Sequence, residues 1–270
     1  MKKLNIIGCG IMGTRLAALY SNLGYIVNIW NRSKVNINKI NIQKEVTSNF
    51  LGIKDKKGKI NFIKNLEEIK NENTIECLIE DLATKRKIIN KIRKTVTKNI
   101  FSNTSSININ KIGSDVKLLH FFNPISSRIV EYNFLGRNKI TNKLNLINDL
   151  KRNKFNLIEV SNHTGYALNK ILFYEISNFF YLIECEKIDR NKLNDAYKNL
   201  NKDKDILLTL DLIGIDLALK IFKNLFKEYK NFYIPKILNI ALRKKILGNK
   251  NGTSIKSIFI SKNYNDLILK

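Results

Sequence analysis

The sequence predicts an α/β fold, in which a doubly wound, mostly parallel sheet is followed by an all-α C-terminal domain. Three observations predict it. Short apolar runs alternate with helical patterns through the first part of the chain, and a glycine-rich segment follows the first of these runs. Near residue 163 the alternation stops, and only helical patterns continue. We therefore expect two domains, residues 1–163 and residues 164–270.

The composition is that of a globular protein with a strongly basic charge balance. Of 270 residues, 44% are hydrophobic, and 48 Lys and Arg stand against 23 Asp and Glu, a formal net charge of +25. The basic residues are scattered along the chain and form no blocks with interleaved aromatic residues. We therefore expect a solvated basic surface, and no nucleic-acid interface. Such a surface would attract phosphorylated ligands.

Cysteine usage and hydropathy predict a cytoplasmic protein. The three cysteines are odd in number and lack metal-ligand spacing, so we expect free thiols in a reducing compartment and no metal site. Only a strand's length precedes the glycine-rich segment, so we expect no signal peptide. The most apolar long run, residues 167–183, is interrupted by polar residues and predicts a buried helix instead of a membrane span.

The first strand and the glycines after it predict dinucleotide binding. The apolar run 4–7 is followed by Gly8-Cys9-Gly10-Ile11-Met12-Gly13 and then by a helical pattern. In this setting the first glycine permits a tight turn, the second lets a pyrophosphate approach the backbone, and the third allows the helix to pack closely. The helix N-terminus, beginning at Ile11 and Met12, then faces the phosphates. We therefore predict a Rossmann-type dinucleotide-binding domain.

The end of the second predicted strand, residues 25–30, leaves the choice of cofactor open. An acid normally binds the adenosine ribose at this point. Here Asn31 and Arg32 follow the strand, and a guanidinium is suited to a 2′-phosphate. One hypothesis is that the protein accepts or prefers NADP. The other is that Arg32 is solvated and that NAD binds through the pyrophosphate.

Further apolar runs complete the predicted sheet and place polar residues at one edge of it. Residues 34–70 are polar and lysine-rich, with a helical stretch and a turn at 55–58. Further strands are predicted at 74–79, 116–119, 129–132 and 156–160, and another begins at residue 100. Ligands bind at the carboxyl ends of strands in such sheets. We therefore expect Gly8, Asn31, Ser105 and His120 to line one crevice. Helices are predicted at about 167–185, 190–200, 205–228 and 233–246.

A short segment around His120 carries candidate proton-transfer chemistry. His120 is one of only two histidines, and Ser105, Asn123 and Glu131 are close to it in sequence. Imidazole is suited to moving a proton near neutral pH. A carboxylate partner can orient the ring and stabilise its charged form. This combination predicts a general acid and base.

Six segments resemble the 3-hydroxyacyl-CoA dehydrogenase family. They are the glycine segment 8–13, Ile75–Asp81 with Lys85, Ser102–Ser106, His120–Pro124, Thr164–Lys170 and Asp211–Asp216. The resemblance extends over essentially the full length. It implies oxidation of 3-hydroxyacyl-CoA or reduction of 3-oxoacyl-CoA with a nicotinamide cofactor, usually NAD, and a homodimer.

The resemblance also implies roles for individual residues. His120 and Glu131 would be the catalytic dyad. Ser105 and Asn169 would hydrogen-bond the reacting substrate oxygen or the histidine, and Asn123 would help to fix the substrate. The positions implied for the cofactor, besides the glycine segment, Asn31 and Arg32, are Glu76, Lys85 and Asn103.

Some segments depart from the family pattern and keep alternatives open. The stretch between Asn31 and Glu76 is short, Lys202–Asp205 stands where a glycine-proline turn is expected, and the C-terminal pattern is replaced by Asn249–Ser254. One alternative is a reductase acting on another acyl carrier or on a free β-hydroxy acid. The other is a paralogue without catalytic activity that still binds a nucleotide.

Overall fold

A computed structural model describes residues 2–134, 145–202 and 204–269, which form two compact units, Met1–Tyr166 and Ala167–Lys270. The sequence predicts this boundary three residues earlier, after His163. Tyr166 remains with the first unit because its ring is buried and its hydroxyl donates a hydrogen bond to the carbonyl oxygen of Ile107 at 2.6 Å.

The first unit contains an eight-stranded sheet. The strand order is β3-β2-β1-β4-β5-β6-β7-β8, and of the described pairs only β6 and β7 are antiparallel. The strands are β1 (Lys3–Ile7), β2 (Ile26–Trp30), β3 (Lys59–Ile63), β4 (Thr74–Glu76), β5 (Ile100–Ser102), β6 (Lys117–Phe121), β7 (Ile129–Asn133) and β8 (Asn156–Glu159). The predicted mostly parallel sheet is confirmed.

Helices cover both faces of this sheet. They are α1 (Ile11–Asn22), α2 (Ile37–Leu51), α3 (Leu82–Ile92), α4 (Ile109–Ile112) and α5 (Asn145–Arg152). One apolar core joins residues of α1, α2 and α5 to the sheet, and a second joins residues of α3 and α4 to it. Two cores on opposite faces are what a doubly wound sheet requires, and this part of the prediction is confirmed.

The strand β3 was not predicted from the sequence. It lies at the edge of the sheet and pairs only with β2 in the described chain, in parallel register from Ile26–Lys59 to Trp30–Ile63. Its side chains are exposed or half-buried, and Phe62 is 48% exposed. Without a buried face, the strand has no apolar alternation that a sequence pattern could show.

The second unit is helical, as predicted. Its helices are α6 (Leu168–Glu184), α7 (Arg190–Leu200), α8 (Ile206–Ile213), α9 (Ile215–Glu228), α10 (Lys236–Arg243), α11 (Lys256–Phe259) and α12 (Tyr264–Leu269). A separate core fills this unit, with Phe173, Phe180 and Phe222 fully buried. In the residues that are described, no helix is long and apolar enough to cross a bilayer.

The single helix predicted at 205–228 is two helices. Gly214 lies between α8 and α9 with φ +92°, a left-handed value that side chains other than glycine rarely adopt. The apolar pattern continues through this break, so periodicity alone did not reveal it. The helix predicted at about 190–200 agrees with α7, which begins after Asp189, whose carboxylate accepts hydrogen bonds from the backbone N–H groups of Asn191 and Lys192.

Candidate active site

The glycine loop between β1 and α1 has the shape that a dinucleotide pyrophosphate requires. Gly8 has φ +96°, and a Cβ atom there would lie 2.7 Å from the carbonyl oxygen of Cys77. A Cβ atom on Gly13 would lie 1.9 Å from the carbonyl oxygen of Gly8, so the helix packs directly on the loop. Gly10, in contrast, would place its Cβ in open space. The three glycines therefore supply a tight turn, close packing and an accessible backbone, and these fit a dinucleotide.

The first turn of α1 completes this loop. Ile11 and Met12 are its first two residues, and this turn contains no acidic residue. The backbone N–H groups at a helix N-terminus and the helix dipole both favour an anion. Ile11 is 49% exposed, which leaves this end of the helix accessible.

Asn31 joins the end of β2 to the glycine loop. Its side-chain oxygen accepts a hydrogen bond from the backbone N–H of Cys9 at 3.0 Å, and its amide donates to Ser33. Arg32 is exposed. The two residues therefore differ in environment: Asn31 supports the loop, while the guanidinium of Arg32 faces solvent.

His120 and Glu131 lie directly opposite each other on the antiparallel strands β6 and β7. The imidazole Nδ1 is 3.0 Å from the carboxylate Oε2. His120 is 5% exposed and Glu131 is completely buried. With Nδ1–H donating to the carboxylate, Nε2 becomes the acceptor in the neutral ring. His120 is the fourth residue of the five in β6, so it lies within the strand and not after it as predicted.

The turn after β5 is organised by Glu80, a residue that the sequence analysis did not select. Its Oε1 accepts hydrogen bonds from the backbone N–H groups of Ser105 (2.9 Å) and Ser106 (2.7 Å). The hydroxyl groups of Thr104 (2.7 Å), Ser105 (3.2 Å) and Ser106 (2.9 Å) donate to the same oxygen. Ser105 is therefore fixed in place by the segment that follows β4.

A buried lysine lies behind this turn between two carboxylates. The Nζ of Lys85 is 2.8 Å from Glu76 and 3.6 Å from Glu80. Burial pushes the pKa of Glu80 upward, but Lys85 and the hydrogen bonds from Thr104 and Ser106 outweigh it and leave the pKa below its ordinary value. Burial likewise lowers the pKa of Lys85, but Glu76 and Glu80 outweigh this and raise it.

Glu76 and Lys85, which the resemblance implies as cofactor contacts, are both buried. Glu76 is 0% exposed and Lys85 is 1% exposed. The Glu76 carboxylate accepts hydrogen bonds from Lys85, the Ser102 hydroxyl and the backbone of Leu78. These two side chains are bonded to each other within the first unit, and their assignment as cofactor contacts stays a prediction. Glu80, which the sequence pattern places only four residues further on, is the one beside Ser105.

Two asparagines predicted at the site lie next to the histidine strand. The side-chain oxygen of Asn103 accepts a hydrogen bond from the backbone N–H of Phe121 at 2.8 Å, so it ties the end of β5 to the residue beside His120. Asn123 follows β6 in the loop that leads to Pro124. Asn169 belongs to the second unit, in the first turn of α6, and its assignment stays a prediction.

A groove of about 200 Å³ lies beside the loop that follows β6. It runs between Pro124–Ser126 and α2, where Val46 and Phe50 are exposed. Arg15 from α1 also lines it. The Nη1 atom of Arg15 is buried and has no hydrogen-bond partner among the described residues. The groove therefore combines an apolar wall with one cation.

Comparisons with known proteins find matches to the first unit and to nearly the whole chain. The model of the 3-hydroxyacyl-CoA dehydrogenase NAD-binding domain matches residues 3–132. A 3-hydroxybutyryl-CoA dehydrogenase of Clostridioides difficile is 26% identical over 275 residues, which cover 92% of this chain and 96% of the relative. The peroxisomal fatty acid beta-oxidation multifunctional protein MFP2 of Arabidopsis thaliana is 26% identical over 87% of this chain, which spans 36% of its length.

Solved structures share the fold. FadB2 of M. tuberculosis has a TM-score of 0.82 at 22% identity, and (S)-3-hydroxybutyryl-CoA dehydrogenase PaaH1 of Ralstonia eutropha has 0.76 at 22%. Each match covers 94% of this chain and 98% of the other. The matched domain includes the glycine loop, the turn after β5 and both members of the His120–Glu131 pair. Residues 3–132 belong to the 3-hydroxyacyl-CoA dehydrogenase NAD-binding domain family.

Proposed function

We propose that this protein interconverts 3-hydroxyacyl-CoA and 3-oxoacyl-CoA with NAD or NADP, and that His120 and Glu131 carry out the proton transfer. The observation that carries the proposal is the 3.0 Å contact between the imidazole and a completely buried carboxylate. This pair lies in the same sheet as a glycine loop shaped for a pyrophosphate. Proton transfer and dinucleotide binding are the two functions that such a dehydrogenase needs.

The proposed chemistry assigns one step to each residue. In the oxidation, neutral His120 removes the proton of the substrate hydroxyl through Nε2, while Glu131 stabilises the imidazolium that forms. In the reduction, the imidazolium returns this proton to the new hydroxyl. Positioned proton transfer is typically worth ~10²–10⁴ in rate. A nicotinamide cofactor held by the glycine loop would supply the acceptor or the donor of the hydride.

Ser105, Asn123 and Asn169 are proposed as substrate contacts. Ser105 has its backbone N–H and its hydroxyl tied to Glu80, so its position is set before a substrate arrives. A preorganised hydroxyl beside the reacting oxygen is more effective than a mobile one. Gly8, Gly10, Gly13 and the first turn of α1 are proposed to hold the pyrophosphate.

The proposed substrate is a coenzyme A thioester. The relatives above support this, because two of them are 3-hydroxybutyryl-CoA dehydrogenases. The groove beside Pro124–Ser126 supports it too, since it offers an apolar wall and a cation to an extended anionic ligand. A cytoplasmic location and a homodimer stay predictions.

A substrate panel tests this proposal. Purified protein is supplied with acetoacetyl-CoA, with free acetoacetate and with acetoacetyl carried on another thiol, each with NADH and with NADPH, while the loss of reduced cofactor is followed. We expect turnover of acetoacetyl-CoA with the highest kcat/KM. Faster turnover of free acetoacetate or of the other thioester would favour the reductase alternative. No turnover with any pair, in protein that still binds a dinucleotide, would favour the inactive paralogue.

A further inference from the structure

The end of β2 carries no acid where a dinucleotide site normally holds the adenosine ribose. An acid near this point binds the ribose hydroxyls of NAD, and an arginine accommodates the 2′-phosphate of NADP. Residues 31–44 contain no Asp or Glu. The position directly after β2 is taken by Asn31, which brings no negative charge that would repel a phosphate.

Both ends of the Asn31 amide are already used within the protein. Its oxygen accepts a hydrogen bond from Cys9 N–H at 3.0 Å, and its nitrogen donates to the carbonyl oxygen (3.0 Å) and hydroxyl (3.2 Å) of Ser33. The side chain therefore holds the turn against the glycine loop. It is not oriented to receive the pair of ribose hydroxyls as a carboxylate would.

Three exposed cations follow the neighbouring ends of β2 and β3. Arg32 and Lys34 are exposed and follow β2 directly. Lys64 joins them from the neighbouring strand, because it follows Ile63, whose register partner in β2 is Trp30. Within the part of the chain that the structure describes, none of the three has a hydrogen bond or an ion pair. The carboxylate of Glu68, which lies in the turn after β3, pairs with none of these cations and accepts a hydrogen bond from the Asn65 amide.

We propose that Arg32, with Lys34 and Lys64, binds the 2′-phosphate of the cofactor, so that this protein prefers NADP(H) to NAD(H). The inference rests on the proposed function for the existence of a dinucleotide site. A 2′-phosphate brings close to two negative charges. A planar guanidinium matches its oxygens in two parallel hydrogen bonds, and Arg32 is free to form them because no residue of the described chain engages it.

The test is a binding measurement that does not depend on turnover. Isothermal titration of the full chain compares NADPH with NADH, and 2′,5′-ADP with 5′-AMP, at roughly 0.1 M salt so that long-range attraction is screened. We expect NADPH and 2′,5′-ADP to bind at least about ten-fold more tightly than their partners, the usual effect of one charge-assisted hydrogen bond.

Matched variants separate a local site from the general basic charge. Arg32→Gln should remove most of the preference for NADPH and leave the affinity for NADH nearly unchanged. Arg243→Gln, an exposed arginine in α10, removes the same charge elsewhere and should keep the preference. Asn31→Asp should weaken the binding of NADPH and strengthen the binding of NADH. The new carboxylate repels the 2′-phosphate and can accept hydrogen bonds from the ribose hydroxyls.

The possible results are distinguishable. NADH binding as tightly as NADPH, or Arg32→Gln weakening both cofactors equally, would overturn this inference and leave the proposed dehydrogenase intact. Equal effects of Arg32→Gln and Arg243→Gln would also overturn it, since only total charge would then matter. Binding of neither cofactor would overturn the dinucleotide site itself, and with it the proposed function.

Discussion

At the residue scale, the orientation of His120 depends on one buried carboxylate. Glu131→Gln keeps the size of the side chain but removes its charge, so it can no longer stabilise an imidazolium. We expect kcat to fall on the order of 10²-fold or more, as when a catalytic histidine loses its carboxylate partner. KM should change little, because Glu131 is completely buried and is not placed to contact substrate. Steady-state kinetics measure both constants.

The matched control for this variant is Glu159→Gln, an exposed residue on the neighbouring strand β8. It should retain the parent kcat. If Glu131→Gln kept the parent kcat and circular dichroism spectrum, the contact between His120 and Glu131 would not be needed for turnover.

Two glycines of the same loop should respond to alanine in different ways. Gly13→Ala places a Cβ against the Gly8 carbonyl oxygen, so we expect a loss of about 1–3 kcal/mol in unfolding free energy. Gly10→Ala meets no protein atom within 4 Å, so stability should hold while dinucleotide affinity falls. Denaturant unfolding and a cofactor titration distinguish the two effects. A stable Gly13→Ala variant, or full affinity in Gly10→Ala, would contradict this account of the loop.

Glu80 should make the stability of the first unit depend on pH. Its pKa lies below the ordinary value of 4.5, because Lys85 and hydrogen bonds from Thr104 and Ser106 outweigh burial. The stabilisation is therefore present above pH 4.5 and is lost as the pH falls through the lowered pKa. Glu80→Gln should cost about 1–3 kcal/mol at neutral pH, and this difference from the parent should shrink in acid.

Urea unfolding of parent and variant across this pH range measures the effect. Glu67→Gln, an exposed acid in the turn after β3, is the control and should follow the parent at every pH. A parent–variant difference that stays constant into acid would mean that the Glu80 carboxylate is not the titrating group.

The residue types near the site could be predicted from the sequence, but the contacts that each residue makes could not. His120 and Glu131 are separated by eleven positions, and only the antiparallel register shows that they are opposite each other. Glu76 and Glu80 belong to the same short motif, and the sequence analysis selected Glu76. Their hydrogen bonds distinguish them, because Glu76 accepts from the Ser102 hydroxyl while Glu80 accepts from the turn that carries Ser105.

At the scale of elements, a single carboxylate joins helices of the second unit. Glu184, at the end of α6, accepts hydrogen bonds from the backbone N–H groups of Lys236 and Ile237 at the start of α10. The hydroxyl groups of Tyr233 and Tyr264 donate to it as well. Glu184→Ala leaves these donors without their acceptor, so we expect a loss of about 3 kcal/mol or more. Thermal unfolding measures it.

Glu186→Ala, an exposed neighbour, should leave the melting temperature nearly unchanged. Equal melting temperatures for the Glu184 and Glu186 variants would mean that water replaces the lost carboxylate and that the connection contributes little.

Elements were predictable where burial leaves a periodic pattern. β1, β2 and β6 are largely buried, and their apolar runs identify them. β3 is exposed at the sheet edge and was missed. The break at Gly214 was missed for the opposite reason, since α8 and α9 are both strongly apolar and their patterns merge. The geometry of the chain at that glycine, and not hydrophobicity, ends the helix.

At the scale of the whole molecule, the chain forms two units with separate cores and different contents. The first carries the glycine loop, the turn after β5 and the histidine pair, and the second is a helical bundle around aromatic residues. The α/β and helical types of these units followed from the sequence, because the alternation of strand and helix patterns, and its loss, each extend over many residues. The strand order did not, since pairing between distant strands leaves no local pattern.

The proposed function depends on His120 accepting and donating a proton during hydride transfer. The most direct measurement is the single-turnover rate at which reduced cofactor is lost with acetoacetyl-CoA. It is made for the parent, for His120→Gln and for His163→Gln, a control that replaces the other histidine of the chain. We predict that His120→Gln slows this rate ~10²–10⁴-fold while cofactor affinity is retained, and that His163→Gln matches the parent. Equal rates in the parent and His120→Gln would contradict the account.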